Sequence, residues 1–417
     1  MWTMSQQGVT SGPVEPDLAD APTGVNRRVV GSVVAVGLAV VLVVGCAVWG
    51  RWLDANGYSL HLGNAWPVAG HWQTRLTWWT AVIVAGAGLW VWQGPRLARR
   101  LSWRGLLAVV FLVAVGWPIV LALVDGPAAL TEPLLTPYEY LNDVPRVTDL
   151  TTFLSGFNAH VMGPPRWTTH VSGHPPGFLG LLTVMDRVGL GGGGPAAALC
   201  IAGGAAAAPA ALSTTRLLGG EELARRAAPF TAMAPVALWI ATSADAFFAG
   251  VAAVGIYLLA HAAATRSRRG DLAALGGGAL LGACLFLSYG LTLIGLLAVG
   301  VVLVQRRVRP LLIGGAVVVA LLVAAAVAGF NWFEGLDLAT QRVRMGQGWV
   351  DRPGWYFWFA NPAGLALAVG PAVVAALAWI RRDRFAIIPA CVLTAVLVAL
   401  VSGLSVGEAE RIYLPFA

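Results

Sequence analysis

Apolar residues in this chain run in long unbroken blocks; they neither alternate nor recur on one helical face. Val29 to Trp49 and Gly105 to Val124 carry no charged side chain, and each is near the roughly 20 residues that take a helix across hydrocarbon. Solid runs predict helices, since strands of a membrane barrel would alternate. The pattern gives about eleven spans, at 29–49, 76–93, 105–124, 195–215, 227–242, 246–264, 272–288, 290–305, 311–330, 355–380 and 385–403. Two polar stretches are too long for simple connections: 125–174, and 331–354, which is crowded with Trp, Arg and Gly. Loops of that length are commonly functional.

The expected organisation follows. Residues 1–26 are polar, rich in Pro and Gly, and lack the apolar core of a signal peptide, so they read as a disordered cytoplasmic tail before an uncleaved anchor. Two N-terminal helices occupy 27–104, a core containing the loop 125–174 occupies 105–330, the second loop is 331–354, and C-terminal helices fill 355–417. A further apolar run begins at Ile412 and is cut at Ala417, as in a truncated chain.

Composition agrees with a polytopic membrane protein: 58% of residues are hydrophobic and 11% charged. The net charge of +7 comes from arginine alone, because the chain has no Lys. Most arginines cluster at alternate span ends: Arg27 and Arg28; Arg96, Arg99, Arg100 and Arg104; Arg216, Arg225 and Arg226; Arg266, Arg268 and Arg269; Arg306, Arg307 and Arg309; Arg381, Arg382 and Arg384. That bias places these ends in the cytoplasm and argues against a nucleic-acid partner. The acidic residues between spans then face outward, among them Glu132, Asp245, Glu334, Asp337 and Asp351.

Four scattered cysteines imply neither a disulfide framework nor a thiolate metal site. No phosphate-cradling glycine motif is present. No cofactor is expected, and a divalent metal stays open: His170 and His174 have helical metal spacing, but Gly173 and Pro175 break the helix between them.

Candidate chemistry concentrates in the first outer loop. Tyr138-Glu139-Tyr140-Leu141-Asn142-Asp143-Val144-Pro145-Arg146 is followed by Asp149, His160, Arg166, His170 and His174. Pro, Trp, Phe and Tyr are interleaved with the charges and could pack the loop onto the membrane surface. Gly173-His174-Pro175-Pro176-Gly177 opens a short apolar helix, Phe178 to Met185, too short to span. The plain alternative is that Asp143 and Asp149 cap short helices or pair with Arg146. Arg342 and Arg344 in the second loop, with Arg411, are the outer cations best placed to neutralise phosphate. Glu408 and Glu410 read most simply as partners of Arg411, and Asp245 as part of a helix cap with Ser243.

This order of features resembles the C-type (GT-C) glycosyltransferases, especially the protein O-mannosyltransferase and aminoarabinose transferase branch. There an outer-loop acid precedes a Lys- or His-Pro-Pro turn by about thirty residues, as Asp143 precedes His174; a span ends in a basic turn, matched by Leu212 to Gly219; and two helices meet at an outer acid, matched by Asp245. The likeness covers roughly 105–330. It departs where Asn142-Asp143 stands for an Asp-Glu pair and where two spans precede the core. The Ala-, Val- and Gly-rich composition, with arginine as the sole basic residue besides histidine, and Gly407-Glu408-Ala409-Glu410-Arg411-Ile412 also resemble actinobacterial membrane proteins.

The resemblance implies an all-helical, GT-C-like fold whose extracytoplasmic loop carries short juxtamembrane helices. It implies inverting sugar transfer from a polyprenyl-phosphate donor in the plasma membrane to a glycan, glycolipid or protein acceptor in cell-wall synthesis. Asp143 would be the base, with Asp149 and Glu139 as substitutes. His174 would donate to the lipid phosphate and Asp245 would organise the acceptor or phosphate site; His170, Glu408 and Glu410 stand as acceptor-side or structural candidates. A transporter or lipid flippase is the main rival, and a non-catalytic scaffold of an envelope-synthesis complex the third reading.

Overall fold

The computed structural model describes residues 21–60, 74–346, 350, 352–380, 383–404, 407 and 409–416. The tail up to residue 20, Trp349, Asp351, Arg381, Arg382 and Glu408 lie outside the described residues. Every regular element among those described is helical. In chain order α1 is Ala21–Ala55, α2 Trp78–Arg100, α3 Trp103–Ala122, α4 Leu150–Gly156, α5 Ala159–Met162, α6 Thr169–Gly173 and α7 Gly177–Arg187. Then come α8 Gly193–Gly219, α9 Glu221–Ala232, α10 Ala244–Ala264, α11 Arg268–Leu287, α12 Ile294–Val304 and α13 Arg309–Val327. The last four are α14 Trp332–Arg344, α15 Gly354–Ala376, α16 Ile387–Ser402 and α17 Ala409–Ile412.

Eight helices among the described residues are long and apolar enough to cross a membrane: α1, α3, α8, α10, α11, α13, α15 and α16. They coincide with eight of the expected spans, giving a multi-pass architecture. The other three differ. At 76–93 the chain forms α2, a 23-residue helix whose apolar residues are diluted by Trp, Gly and Gln. At 227–242 helix α9 stops at Ala232 and Pro235 starts a 3-10 turn, because proline cannot continue the hydrogen-bond ladder. The segment 290–305 is a 3-10 turn, Tyr289–Leu293, running into the 11-residue α12.

Small residues set the packing of the central helices. A Cβ on Gly250 of α10 would collide with the Gly203 carbonyl oxygen of α8, and one on Gly278 of α11 would lie 2.6 Å from Gly314 Cα of α13. Lipid tails are as apolar as leucine, so close backbone approach supplies the attraction between helices. Gly250→Val is expected to destabilise the bundle by at least about 1–3 kcal/mol, seen as a lower Tm and loss of the monodisperse peak in detergent; an unchanged Tm would contradict this packing.

The arginine-rich turns are tied by their own side chains. Arg225 of α9 donates to the Ala98 and Leu101 carbonyls at 2.6 and 3.0 Å, and Arg307 donates to the Ala263 carbonyl at 3.0 Å. Arg309 pairs with Asp271 at 2.8 Å. Asp245 sits at the other end of α10, a 21-residue helix and therefore about 30 Å from the arginines that follow its last turn.

The loop after α3 is an ordered layer of 3-10 turns and short helices on an aromatic core. Phe157 stacks on Trp167 at 5.7 Å, with Phe153 and Phe330 edge-on to Phe157. Trp167 Nε1 donates to the Phe157 carbonyl at 3.0 Å, so the indole is both buried and satisfied.

Candidate functional site

Four distant parts of the chain meet above the N-terminus of α10. Ser243 caps that helix, accepting from the Ala246 amide at 3.4 Å, and Asp245 follows in the first turn, where the helix dipole favours a carboxylate. Arg411, on α17, reaches Asp245 Oδ2 at 3.3 Å and Glu139 Oε1 at 3.8 Å. His170 Nδ1 lies 2.7 Å from the same Glu139 oxygen. A carboxylate only accepts, so the imidazole donates. Glu139 is 6% exposed, yet both contacts fall on Oε1; Oε2 has no hydrogen bond among the described residues.

His174 follows α6 and stands beside this array. Its Nδ1 is 2.8 Å from the His170 carbonyl oxygen. Since a carbonyl can only accept, Nδ1 carries the proton and Nε2 presents a lone pair. Burial pushes the imidazole below its usual range, against the opposing pull of Asp245. His174 is therefore a neutral proton acceptor at pH 7. That state does not suit the phosphate-donor role expected of it, because a donating Nε2–H would require the imidazolium.

Asp143 is fully engaged elsewhere. Its Oδ1 accepts from Arg146, its Oδ2 accepts from the Thr168 amide at 2.8 Å, and it is 1% exposed. Arg146 also donates to the Arg166 and Pro165 carbonyls at 2.9 and 2.8 Å and covers the Trp167 ring at 4.3 Å. This is the local pairing weighed from the sequence, and it leaves both oxygens occupied. Asp149 caps α4, accepting from the Thr152 amide at 2.8 Å, and hydrogen bonds from Thr151 and Thr152 lower its carboxyl to about 2. A carboxylate so stabilised is a weak base.

Because that value lies below the unfolded one, the stabilisation from Asp149 is fully present above the ordinary carboxylate range and is lost as pH falls toward about 2. Amide protection in α4 is therefore expected to persist through pH 4 and collapse near pH 2, with Asp149→Ala removing the protection at every pH. Exchange that accelerates already through pH 4 would contradict the cap.

The remaining candidates divide. Arg342 and Arg344 end α14, which packs against α5 and α6, and neither makes an ion pair among the described residues. Glu410 lies over Gly364 of α15. Glu408 is outside the described residues. Thus Glu139, His170, Asp245 and Arg411 form one array with His174 at its edge, while Asp143 and Asp149 hold the loop.

One participant was not singled out from sequence. Tyr140 is 3% exposed, packs edge-on to Phe178 at 4.9 Å and lies 5.9 Å from the His174 ring. Burial, then Asp245 and Glu139, push its hydroxyl well above its usual range, so it stays a donor. An aromatic placed between two acids was the available signal, but its burial depends on the fold. No family model, curated protein or solved structure matches the chain.

Proposed function

We propose that this chain is an inverting glycosyltransferase that moves a sugar from a polyprenyl-phosphate donor to a cell-envelope acceptor on the extracytoplasmic side. One observation carries the reading: Glu139 and Asp245, far apart in sequence, converge on Arg411 at the end of α10 remote from its arginines. The reading assigns the base to Glu139. Its Oε2 takes the acceptor hydroxyl proton as that oxygen bonds to the anomeric carbon, and the anomeric C–O bond breaks with its electron pair leaving on the phosphate. Arg342 and Arg344 supply cations for that phosphate. Arg411 holds the two carboxylates, and Asp143 with Arg146 fixes the loop.

A polyprenol-linked sugar stays in the bilayer, so a site at a helix end meets both the membrane and a polar acceptor. Transport is less well supported. Among the described residues the Asp, Glu and Arg side chains of the eight spans lie near helix ends, whereas transport sites sit near the midplane. The test is incubation of purified protein with radiolabelled decaprenyl-phosphate sugars and envelope extract. Label should move from the lipid to the acceptor for one sugar; transfer from none of them removes the enzyme reading and leaves the scaffold.

A further inference from the structure

The array beside Tyr140 is unbalanced in charge and in hydrogen bonding. Beside the Tyr140 ring, the carboxylates of Glu139 and Asp245 share one guanidinium, that of Arg411. Among the described residues the Tyr140 hydroxyl has no hydrogen-bond partner, although the side chain is 3% exposed. Glu139 Oε2 and Asp245 Oδ1 accept no hydrogen bond among the described residues, and His174 Nε2 offers a third lone pair. A buried donor without a partner forfeits its hydrogen bond to water and gains none in return, so this tyrosine points to a group that completes it.

We propose that Tyr140, His174, Glu139 and Asp245 together bind a polyhydroxyl group bearing no negative charge, and that they disfavour phosphate. The supply of sites decides the class. Three open acceptors and one open donor match hydroxyls, each of which donates once and accepts, whereas a phosphate brings only acceptors and negative charge to two carboxylates that share one guanidinium. Phosphate recognition then falls to other cations. The inference rests on the transferase reading only for the identity of the molecule that brings the hydroxyls, here the acceptor.

Sorbitol, its amine analogue glucamine and sorbitol phosphate form a charge ladder on one scaffold. Binding to the purified full chain in nanodiscs is measured by calorimetry at one fixed pH of about 8. Glucamine and sorbitol should bind, with sorbitol phosphate at least tenfold weaker than glucamine. Tyr140→Phe should weaken sorbitol about fivefold to tenfold, the loss of one hydrogen bond. Should that variant misfold, Asp245→Asn gives the second reading by narrowing the gap between glucamine and sorbitol phosphate. Tightest binding by the phosphate, no binding of any of the three, or full affinity in a folded Tyr140→Phe protein overturns the proposal. Polyol binding without sugar transfer keeps the site and removes the transferase; transfer with phosphate-preferring binding does the reverse.

Discussion

Arg146→Met is expected to destabilise the protein by about 3–5 kcal/mol, the cost of leaving a buried carboxylate without its counter-ion. Asp143 is 1% exposed and, among the described residues, has the Thr168 amide as its one other partner, so losing the guanidinium leaves the carboxylate under-paired in a buried place. The substitution also removes the bonds to the Pro165 and Arg166 carbonyls and the stacking on Trp167, and so frees the segment that leads into α6. The reverse change is far milder. Asparagine at 143 still accepts from the Thr168 amide, and Arg146, partly exposed, keeps its two carbonyls and the indole face. Asp143→Asn should therefore cost about 1 kcal/mol, one ordinary hydrogen bond. Adding it to Arg146→Met should recover more than half of the larger loss. Denaturation midpoints in detergent for the four proteins of this cycle give the coupling directly; equal costs for the two single changes would show that Asp143 is solvated.

The asymmetry bears on what the amino-acid pattern could reveal. Solid apolar runs located eight spans, because period and length alone decide whether a helix can cross hydrocarbon. Where the expected spans shortened, the causes were local breaks whose consequence depends on packing: Pro235 after α9, and the extended Ser288 that ends α11. In the loop, the pairing of Asp143 with Arg146 was legible as an i, i+3 neighbour, but nothing in the sequence says that the pair is buried.

The array is the opposite case. Glu139, His170, Asp245 and Arg411 each stood out singly as a polar residue outside a span, yet contacts between them bridge long sequence separations fixed by how the loop and the final segment pack on α10. The state of His174 was hidden for another reason. It depends on one backbone carbonyl, that of His170, positioned where α6 ends. Sequence offers a histidine; the carbonyl chooses which nitrogen holds the proton.

Glu139→Gln is expected to lower kcat for sugar transfer by about a hundredfold to ten-thousandfold, the usual contribution of a positioned base, while leaving the fold intact. Glutamine is nearly the same size, can still accept from His170 Nδ1, and leaves Arg411 in contact with Asp245. Removing one of two carboxylates also lowers the negative charge of the array, so any loss of rate cannot be charged to a weakened donor phosphate contact. KM for the lipid donor should stay within a few fold, because the cations assigned to it lie on α14. Three companion variants make the assignment specific. Asp143→Asn should retain most of the transfer rate, since its carboxylate serves the loop. Asp149→Ala should do so too, acting only on α4. Asp245→Asn should fall between, because it disturbs Arg411 without removing the base. A folded Glu139→Gln enzyme at full rate, paired with an inactive but folded Asp143→Asn enzyme, would move the base to Asp143 and require the Arg146 contact to open during turnover.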